Sequence, residues 1–272
     1  MALDGEIITP SADFAALMAR LHPAASRVER LRRETPAAFV AFDLLGLAER
    51  PLLGLAFGSR RERLETVLAS AKPPIFLTPA TADPEQAARW LDDFEGVVAK
   101  RRDLGYAPGK RLLTKVKRIR TADCVVGGFR WRVDRPLPSS LLLGIYDASG
   151  SLQHVGVAGG FSARQAEGLL AELRPLVSPL QGHPWERGFL VGGGAVGRLR
   201  GAAGRWTPEM TMDWTPVAPT RVAEVTYDQL DGDRFRHPAR FRRWRPDRDA
   251  ASCTFDQFER PLAAPGALLA PA

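Results

Sequence analysis

The sequence predicts an α+β protein in two parts: a mixed domain over residues 1–119, then a small β-barrel domain over residues 120–261. Two observations predict this. The first part combines apolar, strand-like runs with a capped helical pattern, and from Ala122 the texture changes to short strands separated by turn residues.

Composition bounds the function. With 272 residues, 45% of them hydrophobic and 25% charged, the chain can bury two ordinary cores. There is no apolar run of about eighteen residues and no basic lead followed by an apolar stretch, so the expectation is a cytoplasmic protein without a membrane partner. Cys124 and Cys253 lie far apart with no Cys/His spacing around them, which argues against a disulfide framework and against zinc. The net charge of +7 is mostly arginine, whose planar, permanent charge suits phosphate, and nucleic acid is the leading partner class. The alternative is a solvated, arginine-rich surface.

In order along the chain, residues 1–8 read as a turn and strand that starts abruptly, which suggests a missing front. Residues 39–45 form a short apolar run with Phe39 and Phe42 in it, a buried strand. Asp83-Pro84-Glu85-Gln86 announces a helix, with Asp as N-cap and Pro at the first position, and Ala87, Leu91 and Phe94 supply its stripe. That helix runs straight into a strand over residues 96–100, and a further strand ends at Lys117. Strands are then expected over 123–129, 141–146 and 152–158, with the turn Asp147-Ala148-Ser149-Gly150 before the last. Ser162 and Gln165 form a capping box that opens a helix carrying Leu169, Leu170 and Leu173. Strands over 222–227 and 235–241 follow. Three strands, a helix and further strands is the order of an OB-fold barrel. Residues 178–216, rich in Gly, Pro and Trp, read as a long loop, and 262–272 as a flexible Ala/Pro tail.

Glu95-Gly96-Val97-Val98-Ala99-Lys100, followed by Lys115-Val116-Lys117, is the sharpest chemical signal. A carboxylate and three ammonium groups on short neighbouring strands suit a nucleoside phosphate with its magnesium: the acid holds the metal and the lysines neutralise phosphate oxygens. The bland reading is an edge strand with solvated lysines. Gly192 to Gly197 superficially looks like a dinucleotide loop but follows no long strand. His22, His154, His183 and His237 have no ligand spacing. Trp131, Trp206, Trp214 and Trp244 could stack on bases, although core packing is the commoner use.

These segments, in this order, resemble the motifs of the ATP-dependent DNA ligases, most of all the small ligases of bacterial end joining. Residues 95–100 look like motif IV of the covalent nucleotidyltransferases, 115–117 like motif V, and 39–45 like motif III. Asp4-Gly5-Glu6 is similar to the segment whose glutamate contacts the AMP ribose, and residues 240–248 resemble motif VI of the ligase OB domain. The resemblance spans residues 1–261 and implies a partial nucleotidyltransferase (adenylation) domain before the OB-fold. It implies ATP/AMP and Mg2+ (or Mn2+) as cofactors, and nicked or broken duplex DNA as partner in repair and recombination near the nucleoid. End-joining proteins or a separately encoded N-terminal half are further candidate partners. By motif, Glu6 would contact ribose, Phe42 would stack on adenine, Lys100 would line the nucleotide site, and Glu95 would hold the metal. Lys115 and Lys117 would contact the AMP phosphate, while Arg245, Asp247 and Arg248 would orient the ATP pyrophosphate. Arg234, Arg236, Arg240, Arg242 and Arg243 would contact the DNA backbone.

The family's nucleophile is a lysine in Lys-x-Asp-Gly, and none of Lys72, Lys100, Lys110, Lys115 and Lys117 precedes such a triplet. A truncated gene, a misassigned start codon or a separately encoded front piece would each account for this. A catalytically silent DNA-binding remnant is the alternative function, and RNA capping or RNA ligation the third.

Overall fold

The computed structural model describes residues 1–9, 14–21, 24–186, 214–259 and 265–269. The chain divides into unit 1, Met1–Arg118 with Pro261–Ala272, and unit 2, Ile119–Arg260.

Unit 1 starts with β1 (Ala2–Ile8), α1 (Phe14–Met18), α2 (Ala25–Glu34), β2 (Ala38–Leu47) and β3 (Arg50–Pro51). It continues with α3 (Phe57–Leu68), β4 (Ile75–Leu77), α4 (Pro84–Asp93), β5 (Val97–Lys100) and β6 (Leu113–Val116). The long strand β2 is central, antiparallel to β1 and β3 and parallel to β4. Its Ala41 and Leu44 pack with Leu52 and with Leu64 and Leu68 of α3 to make the core. As expected, α4 begins with Asp83 accepting from the Glu85 amide at 2.9 Å and Pro84 at its first position. By contrast, α3 has no side-chain cap. Its first amides instead meet backbone carbonyls of the segment after β5: Phe57 donates to Leu104 O and Gly58 to Arg102 O, both at 2.8 Å. The amides that every helix start leaves unsatisfied are thus answered by another loop.

Unit 2 contains β7 (Arg120–Trp131), β8 (Pro138–Tyr146), β9 (Leu152–Gly159), α5 (Ala163–Leu173), β10 (Thr215–Pro216), β11 (Val222–Tyr227), β12 (Leu230–Asp231), β13 (Arg234–Phe235) and β14 (Arg240–Trp244). The antiparallel sheet runs β14-β11-β7-β8-β9, with β10 on β7. Among the described residues β9 meets the approach to β14 through a single bridge, Ala158 to Ala239, so the OB-like sheet curls without closing as a full barrel. Phe129, Leu141, Leu143, Ile145, Leu169, Leu173, Val225 and Phe235 are among its buried core. The capping box at Ser162 and Gln165 is formed.

The strand expected over 235–241 is two strands. Pro238, between them, has no amide to donate to a ladder. Most of the expected 178–216 loop, with Trp206 and the glycine run 192–197, lies outside the described residues, as does His22. The ends of that segment are structured: Trp185 is 1% exposed, with its indole nitrogen donating to Leu152 O at 2.8 Å, and Thr215–Pro216 pairs with β7. Within the expected tail, Pro265–Leu269 forms a 3-10 turn. Trp214 and Trp244 pack on Trp185 and Phe241, so core packing accounts for both, while Trp131 is 42% exposed.

His154 on β9 is 1% exposed and its Nδ1 lies 2.8 Å from Arg234 Nη2, which makes Nδ1 an acceptor and the ring neutral. Burial first, then the charges of Arg234 and Arg130, hold its pKa well below the ordinary 6.5. Below pH 6.5 the unfolded chain therefore binds a proton that the folded chain refuses. This contribution to stability is complete above pH 6.5 and is lost as the pH falls from there toward the depressed folded value. Urea unfolding followed by tryptophan fluorescence is expected to show lower stability at pH 5.5 than at pH 7.5, and His154→Gln is expected to flatten that slope. An unchanged slope in the variant would assign the effect to other groups.

Candidate functional site

In unit 1 one group of motif residues gathers at the middle of β2. Asp43 is 1% exposed and faces Arg60 of α3, 2% exposed, through two bonds: Nε to Oδ1 at 2.9 Å and Nη2 to Oδ2 at 3.0 Å. Lys100, at the end of β5, brings its ammonium to 3.5 Å from Asp43 Oδ2 and to 4.8 Å from the ring centroids of both Phe42 and Phe57. A cation between two aromatic faces with a carboxylate behind it is held by the rings' negative faces and by Coulomb attraction together. Asp4, the register partner of Asp43 on β1, accepts from the Tyr106 hydroxyl at 3.3 Å, and the nearby Asp4 charge pushes the Tyr106 pKa up. Glu6 is exposed on β1, opposite Val40.

Two glycines next to motif acids sit where the backbone is approached closely. A Cβ on Gly5 would lie 2.5 Å from Phe39 Cζ and 2.6 Å from Val40 O, and one on Gly96 would lie 2.6 Å from Val116 O. Only glycine lets these backbones approach so closely. The approach at Gly96 puts Glu95 beside Lys117, whose ammonium donates to Oε1 at 2.6 Å. Lys115 lies opposite Val98 in the β5–β6 ladder and is exposed. The structure therefore brings together Phe42 and Lys100, and separately Glu95 and Lys117. Among the described residues no cluster of three or more His, Cys, Asp or Glu forms a metal cage. Glu95, 40% exposed at its side chain, offers a single carboxylate.

In unit 2 the motif VI segment lies on β14 and the turn after it. Arg245 is held between Asp123, to which Nη1 donates at 2.8 Å, and Asp247, which accepts from Nε at 2.9 Å and from Nη2 at 2.8 Å. The Arg245 guanidinium holds the exposed Asp247 carboxyl down at a pKa of about 2. Arg248 Nε is 3.8 Å from Asp123 Oδ2. Arg242 and Arg243 both donate to Glu224, while Arg240 is exposed. The other two arginines expected to face DNA lie off this strand and have protein partners: Arg234 meets His154, and Arg236 donates to Gln229 Oε1 at 2.6 Å.

Sequence reasoning missed Arg60, Phe57 and Tyr106 in unit 1 and Asp123 and Glu224 in unit 2. The side-chain hydrogen-bond partners of the polar groups among these lie at least 17 residues away in the chain, beyond any local pattern.

Asp43→Asn removes the charge that balances a buried guanidinium and is expected to cost about 3–5 kcal/mol, whereas Asp43→Leu combined with Arg60→Met should cost far less. Thermal and urea unfolding of the two variants measures this. A loss below about 1 kcal/mol for Asp43→Asn would mean that Arg60 finds water or another acceptor.

Residues 1–117 match the family model described as ATP dependent DNA ligase domain, and residues 134–248 match the ATP dependent DNA ligase C terminal region. The chain is similar to DNA ligase C2 of Mycolicibacterium smegmatis, 48% identical over 269 residues that cover 95% of this chain and 76% of the relative. It is also 44% identical to DNA ligase C of Mycobacterium tuberculosis, over 96% of this chain and 76% of that one. A solved structure from a structure-function analysis of Lig E DNA ligases shares the fold, with a TM-score of 0.53 at 17% identity over 89% of this chain and 76% of that chain. The chain belongs to the family of ATP-dependent DNA ligases.

Proposed function

We propose that unit 1 binds the AMP portion of ATP and unit 2 grips nicked or broken duplex DNA, in the strand-joining reaction of the family. The observation that carries this reading is the Lys100 ammonium 4.8 Å from both Phe42 and Phe57 with Asp43 behind it, on the same unit as the Glu95–Lys117 pair. A purine stacking on Phe42 exchanges the ammonium for its own face, and Asp43 keeps the displaced cation close. Glu6 meets the ribose, and Lys115 and Lys117 neutralise the AMP phosphate. Arg245, Asp247 and Arg248 orient the pyrophosphate of ATP.

Magnesium commonly uses one or two carboxylates and completes its shell with phosphate and water, so a single Glu95 fits as its protein ligand. When bound, the ion supplies positive charge near the phosphate. In joining, the 3′ hydroxyl oxygen bonds to the 5′ phosphorus of the adenylated strand as the bond from that phosphorus to the AMP oxygen breaks. The residues' own part is to hold the departing AMP phosphate, with the lysine ammoniums balancing its charge.

A second reading is favoured by one specific observation: none of the five lysines of residues 1–272 lies in Lys-x-Asp-Gly. On this reading residues 1–272 grip DNA and carry AMP on none of their own lysines, and end-joining proteins are the partners.

A synthetic pre-adenylated nick separates the two readings, because sealing it requires no AMP-carrying lysine. With ATP and Mg2+ alone, no AMP adduct is expected on any lysine. Slow sealing of the pre-adenylated nick is expected, lowered on the order of a hundredfold by Glu95→Ala and by Lys117→Ala, since small misplacement of reacting atoms costs about that much. Sealing untouched by both substitutions would remove these residues from the site.

Binding to nicked duplex is expected to weaken steeply as salt rises, by about 0.9 in the logarithmic slope for each phosphate neutralised, with little dependence on base sequence. A flat salt response in a titration between 50 and 200 mM, roughly the range over which phosphate contacts are read, would overturn it.

A further inference from the structure

Asp123 of β7, Glu224 of β11 and Arg243 of β14 stand in one row across three adjacent strands. Carboxylates directly opposite one another on neighbouring strands repel, and Glu224 is only 7% exposed, so this pair persists only with cations brought to it. Among the described residues these come from β14 and the turn after it. Arg242 Nη1 donates to Glu224 Oε1 at 2.6 Å, Arg243 Nε to Oε2 at 2.8 Å, and Arg245 Nη1 to Asp123 at 2.8 Å with Glu224 4.0 Å away.

The three arginines are held differently. Arg245 commits all three of its nitrogens to Asp123 and Asp247, and its side chain is 20% exposed. Arg242 and Arg243 each commit one nitrogen to Glu224, and their side chains are 55% and 60% exposed. Consecutive strand residues normally point to opposite faces. Here the register passes from Glu224↔Arg243 to Val225↔Phe241, so Arg242 is the extra residue of a β-bulge. A bulge re-aims a side chain, and this one brings Arg242 to the same acceptor as Arg243.

We infer that Glu224 is a positioning residue which, with the bulge at Arg242, assembles Arg242 and Arg243 into a paired guanidinium fork for phosphate oxyanions, on a base fixed by Asp123 and Arg245. This rests on the reading of β14 as a phosphate-facing strand. The phosphodiester backbone of DNA and the polyphosphate tail of ATP present the same chemistry, and separate arms of the test distinguish them.

The sign of one substitution is decisive. Glu224→Gln removes a negative charge, so if that charge only opposes phosphate, the variant binds phosphate more tightly. If Glu224 orients the fork, the variant binds more weakly, by about tenfold, because charge-assisted, two-pronged contacts depend on geometry. The measurements are fluorescence anisotropy of the full chain with a labelled nicked duplex and, as a second arm, direct calorimetric titration with inorganic tripolyphosphate. Near-UV circular dichroism checks each variant's fold. The exposed pair Arg242→Lys with Arg243→Lys keeps the charge and loses the fork, so it tests the same idea should Glu224→Gln fail to fold. It too is expected to bind about tenfold more weakly.

Loss confined to the duplex assigns the fork to DNA, and loss confined to tripolyphosphate assigns it to the nucleotide tail. If Arg242→Ala with Arg243→Ala leaves both ligands bound as before, the reading of β14 falls and the inference with it. If that variant weakens binding while Glu224→Gln and the double lysine variant bind as tightly as the parent or more so, the reading stands and the positioning role is wrong.

Discussion

Asp43 sits on the central strand of unit 1, 1% exposed, and a carboxylate removed from water costs several kcal/mol unless cations are brought to it. Its register partner Asp4 adds a second acid beside it. Much of unit 1 can be understood as meeting that demand. Arg60 comes from α3 and Lys100 from β5, while the Tyr106 hydroxyl from the following segment answers Asp4. Each donor fixes the element that carries it: α3 is held by both its apolar contacts and its guanidinium, and the end of β5 is tied to β2. The motif lysine and the motif phenylalanine come within reach because they flank the same buried charge.

Unit 2 meets the same physical problem with a different geometry. Asp123 and Glu224 also stand opposite one another on neighbouring strands, but among the described residues their cations arrive from β14 and its continuation. The acids of unit 1 draw separate elements together, whereas those of unit 2 shape one short strand. Arg245 is pinned by the arrangement, and the exposed Arg242 and Arg243 keep an outward edge. A guanidinium suits such double duty better than an ammonium, because it has donors on more than one side of a rigid plane.

Much of this was legible in the sequence, and what was not had a common cause. Strands β1, β2, β5 to β9 and β11, and the caps at Asp83 and Ser162, follow from local pattern: apolar runs, alternation, and polar residues at helix starts. The motif positions of Phe42, Glu95, Lys100 and Lys117 follow from residue order. The single strand expected over 235–241 failed at Pro238, where missing hydrogen-bonding capacity outweighed an apolar pattern. The partners Arg60, Tyr106, Asp123 and Glu224 were invisible for another reason. An arginine in a helix or a glutamate in a strand looks like solvated surface until tertiary contacts show which carboxylate it faces, and burial of Glu224 depends on three strands that are remote in sequence.

The start of α3 carries one more consequence. Its first amides are answered by the main-chain carbonyls of Arg102 and Leu104, so these two bonds need from that loop a path of the right length, and the Arg102 side chain adds an exposed pair with Glu62 of the helix. Those two bonds are indifferent to which side chains residues 102 and 104 carry, while insertion or deletion of a single residue between Lys100 and Tyr106 would slide both carbonyls out of place. The loop that leads away from the motif lysine is thus a ruler: variation among natural relatives should appear there as changes of letter at constant spacing.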